Sequence, residues 1–253
     1  MTILDLSPAP GAAPAGRRVW RHGLVEAKLL ARNGEQLLLA LIIPLGLLIG
    51  ARVLGGRFGD LAVLAPSVLA LAIWSSAFTS VAIATGFERR YGVLERLAAT
   101  PLGRSGLLAG KAFAVVLVVL GQLMVLTSVA LALGWRPSFT PASALGGAGL
   151  VVLATAAFVA LALLLAGRLR AEVTLGLANL IYVLLLAGGA LVIPLARCPR
   201  VLQPVVELLP TAALGEGLRA GAVGQVLGWP FLVLIIWLAA AGLAAGRTFR
   251  WTS

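Results

Sequence analysis

The sequence predicts an all-α integral membrane protein, and three observations carry that prediction. Of the 253 residues, 60% are hydrophobic and only 11% are charged, whereas soluble domains carry about 25% charged residues. Because backbone groups in lipid must find partners within the chain, only helices or a closed barrel can cross it. The apolar runs are long and do not alternate with polar residues, which favours helices over a barrel.

Six apolar intervals are predicted to cross the membrane, since a span takes about 20 residues. The first interval is the weakest because it contains Pro44 and Arg52, and Arg52 would have to extend its charge to the surface. The predicted spans are residues 37–54, 61–86, 107–134, 145–167, 173–195 and 228–246.

Both termini are predicted to be cytoplasmic. In that orientation 14 of the 20 Lys and Arg residues lie in inside segments and 6 outside, which agrees with the positive-inside bias. Topology therefore accounts for the net charge of +11, and no nucleic-acid partner is expected. The 18 Arg against 2 Lys, with abundant Ala and Gly, indicate a GC-rich bacterium, so the predicted location is a bacterial plasma membrane.

Three segments outside the spans have distinct compositions. Residues 1–16 are rich in Pro, Ala and Gly and are predicted to be a disordered tail ahead of a single membrane domain, 17–253. Residues 17–36 mix apolar and basic residues at helical spacing, which predicts an amphipathic helix on the inner leaflet. In residues 197–224, prolines interrupt apolar clusters, and this pattern predicts two short re-entrant-like helices before the last span.

The residue inventory argues against several chemistries. No ionisable residue lies at the middle of a predicted span, where ion-coupled transporters place their relay residues. One cysteine, Cys198, and one histidine, His22, leave too few ligands for a typical zinc site. The stretch Gly103–Lys111 lacks the first glycine and the final Ser or Thr of a phosphate-binding loop. No catalytic, metal-binding or cofactor-binding residue is therefore predicted.

The predicted cytoplasmic segment 87–106 is the most informative part of the sequence. Pro101 ends its helical pattern, because the residue before a proline disfavours helical geometry. The predicted helix, Glu88–Leu97, would dock in a groove on a partner protein or rest on lipid, and the pattern alone leaves both open. The apolar residues of this helix share one stripe: Phe87, Tyr91, Leu94 and Leu97.

This segment resembles the signature loop of type-2 ABC transporter permeases, the drug- and lipid-exporter branch. Arg90 stands where the family pattern has a second acid, and Val93 where it has threonine. The matching residues are Glu88, Arg89, Gly92, Leu94, Glu95, Leu97, Pro101, Leu102, Gly110 and Lys111. A second, weaker resemblance precedes the last span, at Pro210, Thr211, Glu216, Leu218 and Arg219.

The resemblance implies a permease subunit of an ATP-driven exporter that is not itself an enzyme. Two permease copies, identical or paralogous, would form the pathway in the lipid bilayer, and each would dock a separate ATPase that binds ATP and Mg. The cargo implied is hydrophobic or amphipathic. The implied ATPase-coupling residues are Phe87, Glu88, Arg89, Arg90, Tyr91, Gly92, Leu94, Glu95, Arg96, Leu97 and Pro101.

Polar residues within the spans are weaker candidates for a substrate path, because small and polar residues also let membrane helices pack or hydrogen-bond. The candidates are Ser75, Ser76, Thr79, Asn179 and Tyr182, and in the external segment Pro210, Glu216 and Arg219. Two alternative functions remain open: an ATP-independent channel or facilitator, and a membrane enzyme or assembly factor. If the protein were an ATP-independent channel, the helix of segment 87–106 would have no assigned function.

Overall fold

The computed structural model describes residues 11, 13–32, 34–54 and 60–251, and these ranges contain helices and no strand. Most of the predicted disordered tail, 1–16, lies outside the described residues. The helices of the described ranges are α1 (Ala15–Arg32), α2 (Gly34–Leu54), α3 (Leu61–Arg90), α4 (Val93–Ala98), α5 (Gly103–Ala132), α6 (Pro141–Ala166), α7 (Ala171–Gly188), α8 (Gln203–Glu207), α9 (Pro210–Ala222) and α10 (Trp229–Thr248).

Five of these helices are long and apolar enough to cross a membrane, namely α3, α5, α6, α7 and α10. The apolar part of α2, Ala40–Val53, is shorter. The helical, multi-pass architecture is therefore confirmed, while the sixth span and the cytoplasmic position of the termini stay predictions.

Local sequence signals explain where several helices begin. Asp60 caps α3, because its side chain accepts a hydrogen bond from the Ala62 amide at 2.9 Å. Thr140 and Ser143 form a reciprocal capping box at the start of α6. Pro141 follows the cap at the first turn of α6, where its missing N–H is not needed. As a result α6 begins at Pro141 and not at residue 145 as predicted.

The centre of the bundle is an aromatic cluster where α3 packs against α6. Trp74 stacks on Phe78 with ring centroids 4.3 Å apart, and Phe158 meets Trp74 edge-on at 4.8 Å. All three side chains are almost fully buried, so α3 lies inside the bundle. Between Ser75 and Ser80 the helix widens into a π-helical turn, a feature that is frequent at functional sites.

Two predicted boundaries are wrong. The fifth predicted span, 173–195, is helical only to Gly188. At the next residue, Gly189, only glycine fits, since a side-chain carbon there would lie 2.4 Å from the Leu185 carbonyl oxygen. Ala190 then adopts a left-handed conformation with φ of 50°. The predicted helix 17–36 is instead divided between α1 and α2, which begins at Gly34.

The bundle has two ends that differ in content. At the end that we call the α1 end lie α1, α4, the turn between α6 and α7, and the residues after α10. At the opposite end, called the α9 end, lie the α5–α6 connection and the two helices α8 and α9. Two of the three prolines of segment 197–224, Pro204 and Pro210, fall in the first turns of these two helices.

Candidate functional site

The predicted single helix Glu88–Leu97 is two helices joined by a turn, so that prediction is wrong in its geometry. α3 continues to Arg90, and Gly92 adopts a left-handed φ of 70° before α4 begins. Glycine reaches that conformation without steric cost. The stripe of Phe87, Tyr91, Leu94 and Leu97 is therefore divided between α3, the turn and α4.

Three of the predicted coupling residues are turned into the protein. Leu94 is 1% exposed and packs inside the bundle. Arg89 is buried and donates a hydrogen bond to the Leu169 carbonyl in the turn between α6 and α7. Glu88 accepts a hydrogen bond from Lys111 Nζ at 2.9 Å. These residues attach segment 87–106 to the spans and do not form its outer surface.

The outer surface of segment 87–106 is formed by other predicted residues. Tyr91 is 65% exposed although its ring lies 6.2 Å from Phe87. Arg90 pairs with Glu172 at the start of α7. The exposed members of the predicted set are Arg90, Tyr91, Glu95, Arg96 and Pro101, while Phe87, Gly92 and Leu97 are half-buried. The α1 end thus presents an aromatic side chain among charges of both signs.

A buried lysine fixes this segment to α1 and α5. Lys111, on the first turns of α5, lies 2.6 Å from Glu26 of α1 and 2.9 Å from Glu88 of α3. His22 Nε2 lies 3.1 Å from the other oxygen of Glu26. We call these four residues the lysine cluster. Since a buried charge is stable only when paired, each of these three helices depends on the same cation.

Two glycines let α1 approach α5 closely enough to form the lysine cluster. A side-chain carbon at Gly23 would lie 2.5 Å from the Phe113 ring, and one at Gly110 would lie 2.5 Å from the His22 ring. Trp20 also contacts Phe113, with ring centroids 4.7 Å apart. Small residues at helix crossings are typical of membrane proteins. The crossing places Glu26 beside Lys111.

The predicted substrate-path residues do not line one wall. Ser76 donates a hydrogen bond to Gln122 at 2.7 Å, and Gln122 donates to the Ala40 carbonyl at 2.8 Å. That carbonyl needs a donor from another helix, because the residue four positions later is Pro44, which has no N–H. Ser76 is therefore part of a chain of hydrogen bonds that connects α2, α3 and α5.

The remaining predicted path residues lie elsewhere. Ser75 and Tyr182 lie close together, between α3 and α7. The Thr79 hydroxyl is buried and has no hydrogen-bond partner among the described residues. Asn179 lies on the exposed face of α7. Of the predicted path residues, Ser75 and Tyr182 are thus the two that the α3–α7 contact brings together.

Arg219 organises the α9 end. Its guanidinium donates to the carbonyls of Ala190 at 2.7 Å and Leu191 at 2.9 Å, and to Ser67 Oγ at 2.8 Å. Glu216 pairs with Arg219 at 2.9 Å and accepts from the Leu195 amide at 2.6 Å. The predicted external residues Glu216 and Arg219 are thus brought together, whereas Pro210 only begins α9.

Sequence reasoning missed Glu26, His22, Gln122 and Glu172 as partners. The available signal was weak: Glu26 is an acid within a basic segment, and Gln122 is an amide within an apolar run. A polar side chain without a partner is costly in apolar surroundings, so both residues are expected to have partners. The sequence does not show which groups these partners are.

The fold and this site define a multi-pass helical membrane protein with an exposed segment at one end that buried side chains attach to the spans. The family described as ABC-2 family transporter protein matches residues 57–247. The chain belongs to this family, which confirms the resemblance to type-2 ABC permeases and the membrane-transport role. No curated protein matches the chain significantly.

Proposed function

We propose that the chain is the membrane-spanning permease subunit of an ABC exporter and that segment 87–106 transmits the action of a separate ATPase subunit. The observation that carries this proposal is the division of the segment into an exposed surface and a buried attachment. Arg90, Tyr91, Glu95, Arg96 and Pro101 are available to a partner. Glu88, Arg89 and Leu94 connect the same backbone to the bundle.

The contacts support a physical route from the ATPase to the spans. A displacement of α4 moves Leu94, which is packed inside the bundle. The turn before α4 is continuous with α3, and Glu88 of α3 shares Lys111 with α1. ATP binding changes transport only if the ATPase pair favours one arrangement of these helices over another. In this mechanism, the ATPase closes and the joined helices move as a group.

A second permease copy, identical or paralogous, completes the proposed pathway. α7 supports this, because few of its residues are buried and its exposed face carries Asn179 among apolar residues such as Leu180, Val183 and Leu184. A polar side chain on an otherwise apolar outer face finds a partner when another helix packs there. ATP and Mg are assigned to the ATPase, since the chain lacks a phosphate-binding loop.

The proposed cargo is hydrophobic or amphipathic, moved out across a bacterial plasma membrane with both termini of the permease in the cytoplasm. A cavity of about 450 Å³ between α3, α6, α7 and α10 supports this class of cargo. Its walls are almost wholly apolar and include Trp74, Phe78 and Trp237. Walls of this kind bind a ligand with an apolar surface in preference to a sugar or an ion.

Co-purification of the chain with ABC ATPase subunits of the same organism tests the proposal. The test variant is Tyr91→Ala with Arg96→Glu, since both residues are exposed and neither supports the fold. The matched control is Arg200→Glu, a charge reversal at an exposed arginine of the α9 end. We expect the wild type and control to bind the ATPase and raise its hydrolysis rate, and the test variant to lose both while still inserting in membranes.

Two results would contradict the proposal in different ways. Equal binding by the test variant and the wild type would mean that segment 87–106 is not the docking surface. Failure of the wild type to bind any ATPase, with cargo still moving down its gradient in vesicles, would favour the ATP-independent facilitator.

A further inference from the structure

A cavity of about 480 Å³ lies between α1, α2, α3 and α5 and is separate from the apolar cavity beside α7. This volume is in the range of ligand-binding pockets. Along α5 its lining runs from Lys111 to Val125, which is about 21 Å of helix at 1.5 Å per residue. Its shape is thus long and narrow, directed from the α1 end into the apolar part of the bundle.

The inner part of this cavity is mostly apolar. Two of its three uncharged polar residues, Ser76 and Gln122, hydrogen-bond to each other, and Gln122 also donates to the Ala40 carbonyl; the third is Ser80. Most other walls there are aliphatic, as at Val118 and Val125. An occupant with several polar groups at that depth would lose its hydration and gain few partners. Hydrocarbon is therefore the chemistry that fits the inner part.

The mouth of the cavity carries a different chemistry. Glu26 and Lys111 line it, but they pair with each other within the lysine cluster. Lys28 also lines the mouth and is exposed, and Arg32 follows one helical turn later and is exposed as well. Among the side chains that the structure describes at the mouth, the unpaired charge is therefore positive, which makes an anionic group complementary to it.

We propose that this cavity holds one acyl chain of an anionic phospholipid whose phosphate contacts Lys28. Apolar walls of membrane-scale length and a basic mouth match the two parts of such a lipid. Apolar side chains of α1 such as Trp20, Leu24 and Leu29 are exposed, as in helices that lie at a membrane surface. The bound lipid would add an apolar contact between α1 and the spans. This site is independent of ATPase docking, which involves other residues.

Spin-labelled lipids test the proposal on the full chain in vesicles of equal parts phosphatidylcholine and phosphatidylglycerol. We expect a motionally restricted population that prefers phosphatidylglycerol. Lys28→Gln with Arg32→Gln is expected to lower that preference about fivefold for each charge removed, since a basic residue near an anionic surface contributes about 1 kcal/mol. Arg17→Gln with Arg21→Gln removes two exposed charges in the first half of the same helix, about two turns or more before Lys28, and is expected to leave the preference unchanged.

A second variant separates the cavity from the basic surface of α1. Gly121 lines the cavity and a Cβ added there meets nothing within 4 Å, so we expect the side chain of Gly121→Leu to extend into open space of the cavity. We expect it to remove the restricted population while Lys28 stays in place. Equal restriction of the two lipids, restriction that persists in Gly121→Leu, or cross-linking of the cavity wall to a second copy would overturn the proposal. ATPase stimulation is measured in the same vesicles. A loss of lipid preference with normal stimulation concerns the lipid site, whereas a loss of stimulation concerns ATPase docking.

Discussion

Lys111 and Arg219 are buried cations near opposite ends of the bundle, and they bind different kinds of groups. Lys111 contacts two carboxylates, Glu26 and Glu88, which belong to two other helices. Arg219 contacts one carboxylate of its own helix, Glu216, and otherwise donates to backbone carbonyls and a serine hydroxyl. Lys111 thus joins helices through other side chains, whereas Arg219 holds its end mainly through backbone carbonyls.

This difference indicates which end is able to rearrange. The backbone carbonyls after α7 have no helical partners because the helix stops at Gly188, and buried carbonyls without partners are costly. Arg219 therefore holds a non-helical segment in one shape, and its planar fork suits several acceptors at once. The ion pairs around Lys111 do not fix the shape of a backbone segment in this way. We infer that the α9 end is the more rigid and that the α1 end is the more adaptable.

The largest expected effect in this comparison is that of Arg219→Leu. The substitution leaves Glu216 unpaired and removes the donor to two carbonyls, so we expect a loss of about 5 kcal/mol in the free energy of unfolding, or failure to accumulate. Thermal unfolding of the purified chain in detergent measures it, with Arg200→Leu, an exposed arginine of the same end, as control. An unchanged Tm would mean that the carbonyls find other donors and that the α9 end is not held by Arg219.

Lys111→Met is the corresponding test at the α1 end. Two partly buried carboxylates, Glu26 and Glu88, would then lie close together without a cation, and removal of one partner of a buried pair costs up to about 3–5 kcal/mol. Neutralising the acids as well, by Glu26→Gln and Glu88→Gln, is expected to restore most of the lost stability, because a neutral replacement of a buried ion cluster is often tolerated. Tm reports the stability of each variant.

ATPase stimulation by the same variants sharpens the comparison. If the lysine cluster transmits the action of the ATPase, the triple variant should be stable yet stimulate poorly. A triple variant as unstable as Lys111→Met alone would show that the loss is one of packing and not of charge pairing.

The parts of the fold that follow from local rules were predictable from the sequence. Long apolar runs identified the regions of α3, α5, α6, α7 and α10, since lipid requires helices of that length. Prolines identified the starts of the two helices before α10. The boundaries were less accurate at α7, whose apolar run continues past its last helical residue, Gly188. Packing there involves Thr211 of a distant helix, which lies 2.5 Å from a side-chain carbon added at Gly189.

The site was predictable in composition but not in arrangement. A 3.6-residue period continues from Phe87 to Leu97 even though Gly92 ends the helix between them, so periodicity alone could not reveal the turn. The lysine cluster joins Lys111 to residues 85 and 23 positions away, and no local pattern specifies such pairs. In the same way, Pro44 predicts a carbonyl without a helical donor, but only the packing of α5 against α2 shows that Gln122 supplies it.

The smallest expected effect comes from the glycine crossing that brings α1 to the lysine cluster. Gly110→Ala places a carbon 2.5 Å from the His22 ring, so α1 must move outward, at a cost of about 1–3 kcal/mol. Gly121→Ala on the same helix is the matched control, since nothing lies within 4 Å of its new carbon. Hydrogen exchange of the α1 amides measures the effect, and we expect faster exchange in Gly110→Ala alone. Equal exchange in the two variants would mean that α1 is held by its charges and not by close packing, which would make the α1 end still more adaptable than the α9 end.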